Sequence, residues 1–417
     1  MDRSESVGVG VVFVLGLNLR PAVTSLGAAL GDISARPGMT AAIGAVLVAM
    51  PLWASGLGGW LTPWLRSRWG MYRAVTWALI LLGLSLTLRV QGGPVLLLVG
   101  TALACLAIAV IGTVLPVLVQ SSSSRTRAAF TLALGTGSTV GALVTPALVS
   151  AFSWQFALAF WALLAAVTVH LWQSAPQSGV VFAARSLSPR RLFSSAVSWH
   201  LTVYFGLVST LTFLVMGWLP GILRDAGISS SDAGFCLALS MAMGLPMMWL
   251  VPFLVHRGRF QSLVVTGLVV SNAVGIVGLL VLPATLPWLW SSMLGIGMGG
   301  LAMALTTISV RAGGNADVAT ALSGMVQGLG YVIAGVGALA CGLLHSVTGG
   351  WRAPLAMALV VLCGQLWCGT RAARPVIVEP APVAPEPVEA GAGEPAIPLP
   401  REPMLPLPVS EEINELS

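Results

Sequence analysis

The 417-residue sequence predicts an all-α integral membrane fold of about twelve transmembrane helices in two six-helix bundles, and three observations carry that prediction. Charged residues make up 8% of the chain and hydrophobic residues 56%, with a mean hydropathy of +0.91. A soluble chain of this length needs far more charge to cover its surface, so most of the surface must lie in hydrocarbon. Apolar runs long enough to cross a bilayer recur along the chain. The arginines gather in alternate breaks between those runs.

A hydrocarbon core about 30 Å thick needs roughly 20 apolar residues of helix. Runs of that kind fall at approximately 7–30, 40–64, 72–90, 93–119, 129–151, 154–173, 198–220, 233–255, 261–282, 286–310, 318–344 and 352–370. The first, Val7 to Leu30, is too long for the core of a cleaved signal and contains Asn18, Arg20 and Pro21, so it reads as a first span. Breaks after even-numbered spans, with both termini, hold Arg3, Arg66, Arg68, Arg73, Arg125, Arg127, Arg185, Arg190, Arg191, Arg257, Arg259, Arg311, Arg371 and Arg374. The other side holds Arg36, Arg89, Arg224 and Arg352. The positive-inside rule then places both termini in the cytoplasm.

The longest internal break separates six spans from six. The expected organisation is a bundle over 1–173, a cytoplasmic central loop over 174–197, a second bundle over 198–370, and a Pro-rich acidic cytoplasmic tail over 371–417 that cannot bury an apolar core. With an offset of about 190 residues, 39–53 aligns with 229–243 and 107–119 with 297–309, and the basic turns RSRWG (66–70) and HRGR (256–259) coincide. Six spans repeated in one orientation are a parallel repeat.

Polar residues inside the spans are the candidates for chemistry. A guanidinium in mid-membrane is unfavourable by about 2.5–3.5 kcal/mol or more unless it meets water or an anion, so Arg20 requires an explanation. Arg20 and Thr24 are four residues apart and share a helical face, and Pro21 frees a carbonyl that can line a cavity. Two roles fit Arg20: it contacts an anionic or polar solute, or it is a strut between helices, bonded to carbonyls or to Gln327. In the eleventh span Ser323, Gln327 and Tyr331 form a polar stripe in a glycine-rich helix, suited either to a wet cavity or to close packing. Trp218 and Trp53 are candidate gates, whereas most other tryptophans sit at span ends as an interfacial belt.

The exclusions are equally specific. The six acids before the tail, Asp2, Glu5, Asp32, Asp225, Asp232 and Asp317, lie at termini, loops or helix ends, leaving no mid-membrane carboxylate as a proton carrier. His170, His200, His256 and His345 lie near span ends. The five cysteines fall in apolar runs without metal spacing and read as small buried hydrophobes, so no metal or cofactor is expected. The chain has no lysine and no phosphate-binding loop, and the arginines form no single basic face, which excludes ATP-driven transport by this chain and nucleic acid binding.

The segments LNLRPAVTSLG (17–27), YFGLVSTLTFLVMGWLPGILRDAG (204–227) and SGMVQGLGYVIAGVGALACGLLHSVTGGW (323–351) resemble the cyanate permease and 2-nitroimidazole transporter branch of the major facilitator superfamily. The resemblance implies a bacterial inner-membrane carrier, functional as a monomer, that moves a small polar or anionic solute by rocking its halves around a central site. It implies a binding set of Arg20, Asn18, Thr24, Thr113, Gln327 and Tyr331, with Trp218 and Phe205 as apolar walls. The sequence departs from the branch at Ala28, where a proline follows Gly27, at Thr113, where asparagine is frequent, and at Val208 and Phe213, where glutamine and tyrosine are common. Three polar positions thus become less polar, which points to a solute more apolar than cyanate. The alternatives are a drug or metabolite efflux carrier of the same fold, or a membrane sensor recruiting a partner through its tail. An enzyme would need paired acids or a Ser/His constellation in the spans, and none occurs. A coupling ion such as the proton has no evident carrier.

Overall fold

Hydrocarbon offers no partner for a backbone N–H or C=O, so a spanning segment must satisfy its own hydrogen bonds, and the chain responds with helices. The structure is a computed structural model that describes residues 8–36, 38–120, 123–175, 192–257 and 260–377. Its spans are Val9–Ser34, Ala41–Trp69, Met71–Leu88, Pro94–Gln120, Ser124–Ala151, Trp154–Gln173, Ala196–Asp225, Ser230–His256, Gln261–Val281, Pro287–Arg311, Ala316–Thr348 and Arg352–Ala372, in order the first to the twelfth. Eleven of them, among the described residues, are long and apolar enough to cross a membrane; in the second the apolar helix is the shorter Ala42–Gly58. Large apolar side chains such as Leu84, Leu163, Leu263 and Val360 cover the outside. The expected central-loop cluster Arg185, Arg190 and Arg191, and the acidic tail beyond residue 377, lie outside the described residues.

Helix starts are written into the breaks. Ser123, Ser153, Ser195 and Ser229 each accept a hydrogen bond from the backbone N–H three residues on, at 3.1–3.4 Å. Thr40 and Asn315 cap the second and eleventh spans in the same way. Each cap satisfies one of the four N–H groups that a helix leaves unpaired at its start. The seventh and eleventh spans extend past the expected 198–220 and 318–344 because helix continues beyond the apolar run. At the end of the seventh, Gly227 adopts φ 90° while Ile228 N–H donates to Leu223 O and Gly227 N–H to Arg224 O, a Schellman closure that holds Arg224 and Asp225 at that end of the bundle.

The packing repeats between the two sets of six spans. The first packs on the fifth and sixth, the fourth on the second and third, and the third on the sixth. Correspondingly the seventh packs on the eleventh and twelfth, the tenth on the eighth and ninth, and the ninth on the twelfth. Contact between the sets runs through the second and eleventh spans, the fifth and eighth, and the first and seventh.

Two arginines counted above as loop charges are buried struts. Arg89, just past the third span, is fully buried, with Nη1 donating to Ala22 O at 3.3 Å and Nη2 to Leu158 O at 3.0 Å. Arg311 donates through Nε to Ala372 O at 3.1 Å and through Nη2 to Gln261 Oε1. Each sits where its own helix ends against neighbouring backbone, so a long side chain folds back and finds carbonyls within reach. Removing both from the tally leaves the same end of the bundle richer in arginine, with Arg36, Arg224 and Arg352 at the poor end. Arg89→Ala is expected to remove the arginine donor from two carbonyls, of which Ala22 O keeps a bond from Ser25 Oγ, and to destabilise the first six spans by about 1–3 kcal/mol. Thermal unfolding of the detergent-solubilised protein checks this.

Candidate functional site

Pro21 cannot donate to Leu17 O, and the first span breaks there into Val9–Asn18 and Pro21–Ser34, with Arg20 at φ −117° between the pieces. Leu17 O, the carbonyl released by the proline, does not line a cavity as expected. It rests against Gly137 of the fifth span, where an added Cβ would lie 2.7 Å from it. Thr24 is fully buried, donates to Arg20 O at 3.2 Å and packs on Gly141 of the fifth span, while Asn18 donates to Val14 O at 2.9 Å and to Thr168 of the sixth span at 2.6 Å. Both serve packing within the first six spans. The break falls before Arg20, so Thr24 stays one helical turn from Arg20, its N–H donating to Arg20 O at 3.1 Å as the spacing predicts.

Arg20 itself remains uncommitted. Its side chain is half-buried and has no hydrogen bond or carboxylate partner among the described residues, where the one ion pair is Arg224–Asp32 at 3.5 Å. The strut role that the sequence left open for it belongs to Arg89. Arg20 lies within range of an electrostatic interaction with Tyr331 of the eleventh span. Tyr331 stands edge-on to Phe205, with ring centroids 5.1 Å apart and planes at 81°. Phe205 is fully buried in a notch at Gly330, which makes it the support behind Tyr331.

One turn away, Gln327 Nε2 donates to Ser323 Oγ at 2.6 Å, so the predicted polar stripe is knit together and the amide oxygen has no partner among the described residues. Thr113 on the fourth span is partly exposed, with its hydroxyl donating to Ala109 O at 2.7 Å. No hydrogen bond joins Thr113 to Arg20 among the described residues. Trp218 is not beside the others. It lies at the arginine-poor end, buried against His345 and Trp351, whose rings stack at 3.8 Å, while Trp351 Nε1 donates to Asp225 Oδ2 at 2.6 Å.

That end is closed by groups the sequence analysis had set aside as loop charges and belt aromatics. Arg224 meets Asp32, and Gly31 leaves room for the guanidinium on the first span. Contact between the second and eleventh spans then loosens along three glycines spaced by seven. A Cβ at Gly342 would collide with Ala45, and one at Gly335 with the Trp53 indole. A Cβ at Gly328 or Gly324 would meet nothing within 4 Å, while one at Gly56 of the second span would still lie 3.6 Å from Gly328 O. The apolar core agrees. Leu26, Leu30, Ile33, Ala45 and Val48 are continuous with the core of the last six spans, whereas Val12, Leu15 and Leu19 belong to a separate core within the first six. Arg20 stands where the two cores divide.

A multi-pass bundle of paired six-helix sets, closed at the arginine-poor end and holding where the sets meet a cation unpaired among the described residues, is the arrangement of a membrane carrier. The chain belongs to the Major Facilitator Superfamily, whose family model matches residues 9–338. It is 30% identical to the 2-nitroimidazole transporter of Escherichia coli (strain K12) over 363 residues, covering 85% of this chain and 92% of that protein. It is 29% identical to the cyanate transport protein CynX of the same organism over 348 residues, covering 82% and 90%. Among solved structures it shares its fold with the nucleoside transporter NupG at a TM-score of 0.71 and 13% identity, over 87% of this chain and 99% of that one. It is thus a major facilitator transporter of small solutes, in a family of transporters and not of enzymes.

Proposed function

We propose that this protein carries a small anionic or strongly polarised solute, of the cyanate-like or nitroimidazole-like class, across a bacterial inner membrane by alternating access. The observation that supports the reading is Arg20: a guanidinium at the meeting of the two halves, with no hydrogen-bond acceptor or carboxylate partner among the described residues. A charge in that setting is tolerable when a solute supplies the missing partner. Tyr331 adds a donor, Gln327 an acceptor and Phe205 the wall behind. In this reading Thr113 stands outside the cluster, Asn18 and Thr24 hold the first span against its neighbours, and Trp218 belongs to the seal at the far end. Movement is a rocking of residues 1–173 against 198–370, the parallel-repeat bundles. With the arginine-rich end and both termini in the cytoplasm, the conformation described faces inward.

Uptake of labelled cyanate, nitrate, benzoate and 2-nitroimidazole into proteoliposomes, with and without an imposed pH gradient, tests the reading. Saturable, protein-dependent flux of at least one is expected, and flux of none of them would rule it out. Tyr331→Phe removes one charge-assisted donor and is expected to raise the half-saturating concentration on the order of tenfold or more, with little change in maximal rate.

A further inference from the structure

Whether a carrier works in one direction or only by exchange depends on what its empty site does when both ends close. Arg20 is mostly buried here and has no hydrogen-bond or ion-pair partner among the described residues. Between the two open states the cavity must close on both sides, and a guanidinium left there loses its water. Among the described residues no carboxylate pairs with it. The acids outside the tail are Asp2, Glu5, Asp32, Asp225, Asp232 and Asp317, all at loops, termini or helix ends, and Asp32 is taken by Arg224. Tyr331 offers only a dipole. A bound monoanion cancels the charge, so the loaded site closes and the empty one resists closure.

We propose that the protein is an obligatory exchanger of monoanions: the loaded carrier turns over readily, the empty carrier does not, and one anion enters only as another leaves. The proposal rests on the anion-carrier reading above and adds the requirement for a counter-anion. Exchange of one monoanion for another moves no net charge and is insensitive to membrane potential, whereas return of an empty carrier moves the positive charge of Arg20 and is sensitive to it. A zwitterion is a poor solute, since its ammonium group finds no carboxylate in the site, and a dianion leaves one charge unpaired.

The full chain in proteoliposomes distinguishes the possibilities. The probe is whichever of cyanate, nitrate, bicarbonate or benzoate raises the unfolding temperature of the wild-type protein but not of Arg20→Ala. Its labelled form is then offered to vesicles preloaded with the same unlabelled anion, or with sulfate. Uptake on the order of tenfold or more faster into preloaded vesicles, unchanged by a valinomycin-imposed potential, is expected. Equal rates into both sets of vesicles would overturn exchange and leave anion carriage standing. If no anion gives Arg20-dependent stabilisation, the anion-carrier reading falls, and exchange with it.

Discussion

Arg20→Ala is expected to lower transport at sub-saturating solute by roughly 10- to 150-fold while leaving the protein as stable as the wild type or more so, the loss corresponding to the 1.5–3 kcal/mol of a charged hydrogen bond. The two halves of this expectation have one origin. Arg20 has no hydrogen-bond partner in the protein among the described residues, so truncating it orphans no carbonyl and removes a half-buried charge that folding must tolerate. Arg89→Ala is the contrasting case, because there two carbonyls lose an arginine donor. A lysine at position 20 keeps the charge and loses the planar fork, so Arg20→Lys should fall between wild type and alanine in apparent affinity. Uptake per reconstituted molecule and thermal unfolding, measured on the same three preparations, check both halves. A lowered unfolding temperature for Arg20→Ala would return Arg20 to the strut role.

The spans were legible because bilayer thickness imposes a length that hydropathy reveals, and Arg20 and Tyr331 were legible because mid-membrane polarity is rare enough to demand a cause. The neighbours of Arg20 were harder. Asn18 lies two residues before it, across the break, and donates to Thr168 of the sixth span, a change of phase that helical spacing does not anticipate; Thr24, after the break, keeps its helical relation to Arg20 but is buried against the fifth span. The two buried struts were hidden differently. Arg89 and Arg311 sit at helix ends, where sequence alone does not distinguish a side chain pointing to water from one folding back onto carbonyls. The seal made by Asp32, Arg224, Asp225, His345, Trp351 and Trp218 joins residues up to some three hundred positions apart, and no local pattern announces that meeting. A charged pair on the arginine-poor side, Asp32 and Arg224, was the one available hint.

The second large effect is conformational. Gly335 faces the Trp53 indole so closely that no Cβ fits, and it lies midway along the glycine series that seals the second span against the eleventh. Gly335→Leu therefore opposes closure of the arginine-poor end. Overpacking of a tight contact is unfavourable by about 1–3 kcal/mol, enough to shift a two-state balance by ten- to a hundredfold, whereas the open state has no such contact to strain. Transport should fall by about tenfold or more because the carrier cannot complete its cycle. The shift is readable at Ala45, fully buried in the described state, by placing Ala45→Cys in a background whose five native cysteines are replaced. Maleimide should label that cysteine slowly in otherwise unaltered protein and readily beside Gly335→Leu. Trp53→Ala opens space for the leucine, so the double variant Gly335→Leu/Trp53→Ala should recover slow labelling and part of the transport, a coupling that general misfolding would not produce. Fast labelling that Trp53→Ala leaves unchanged would mean that this pair does not control closure.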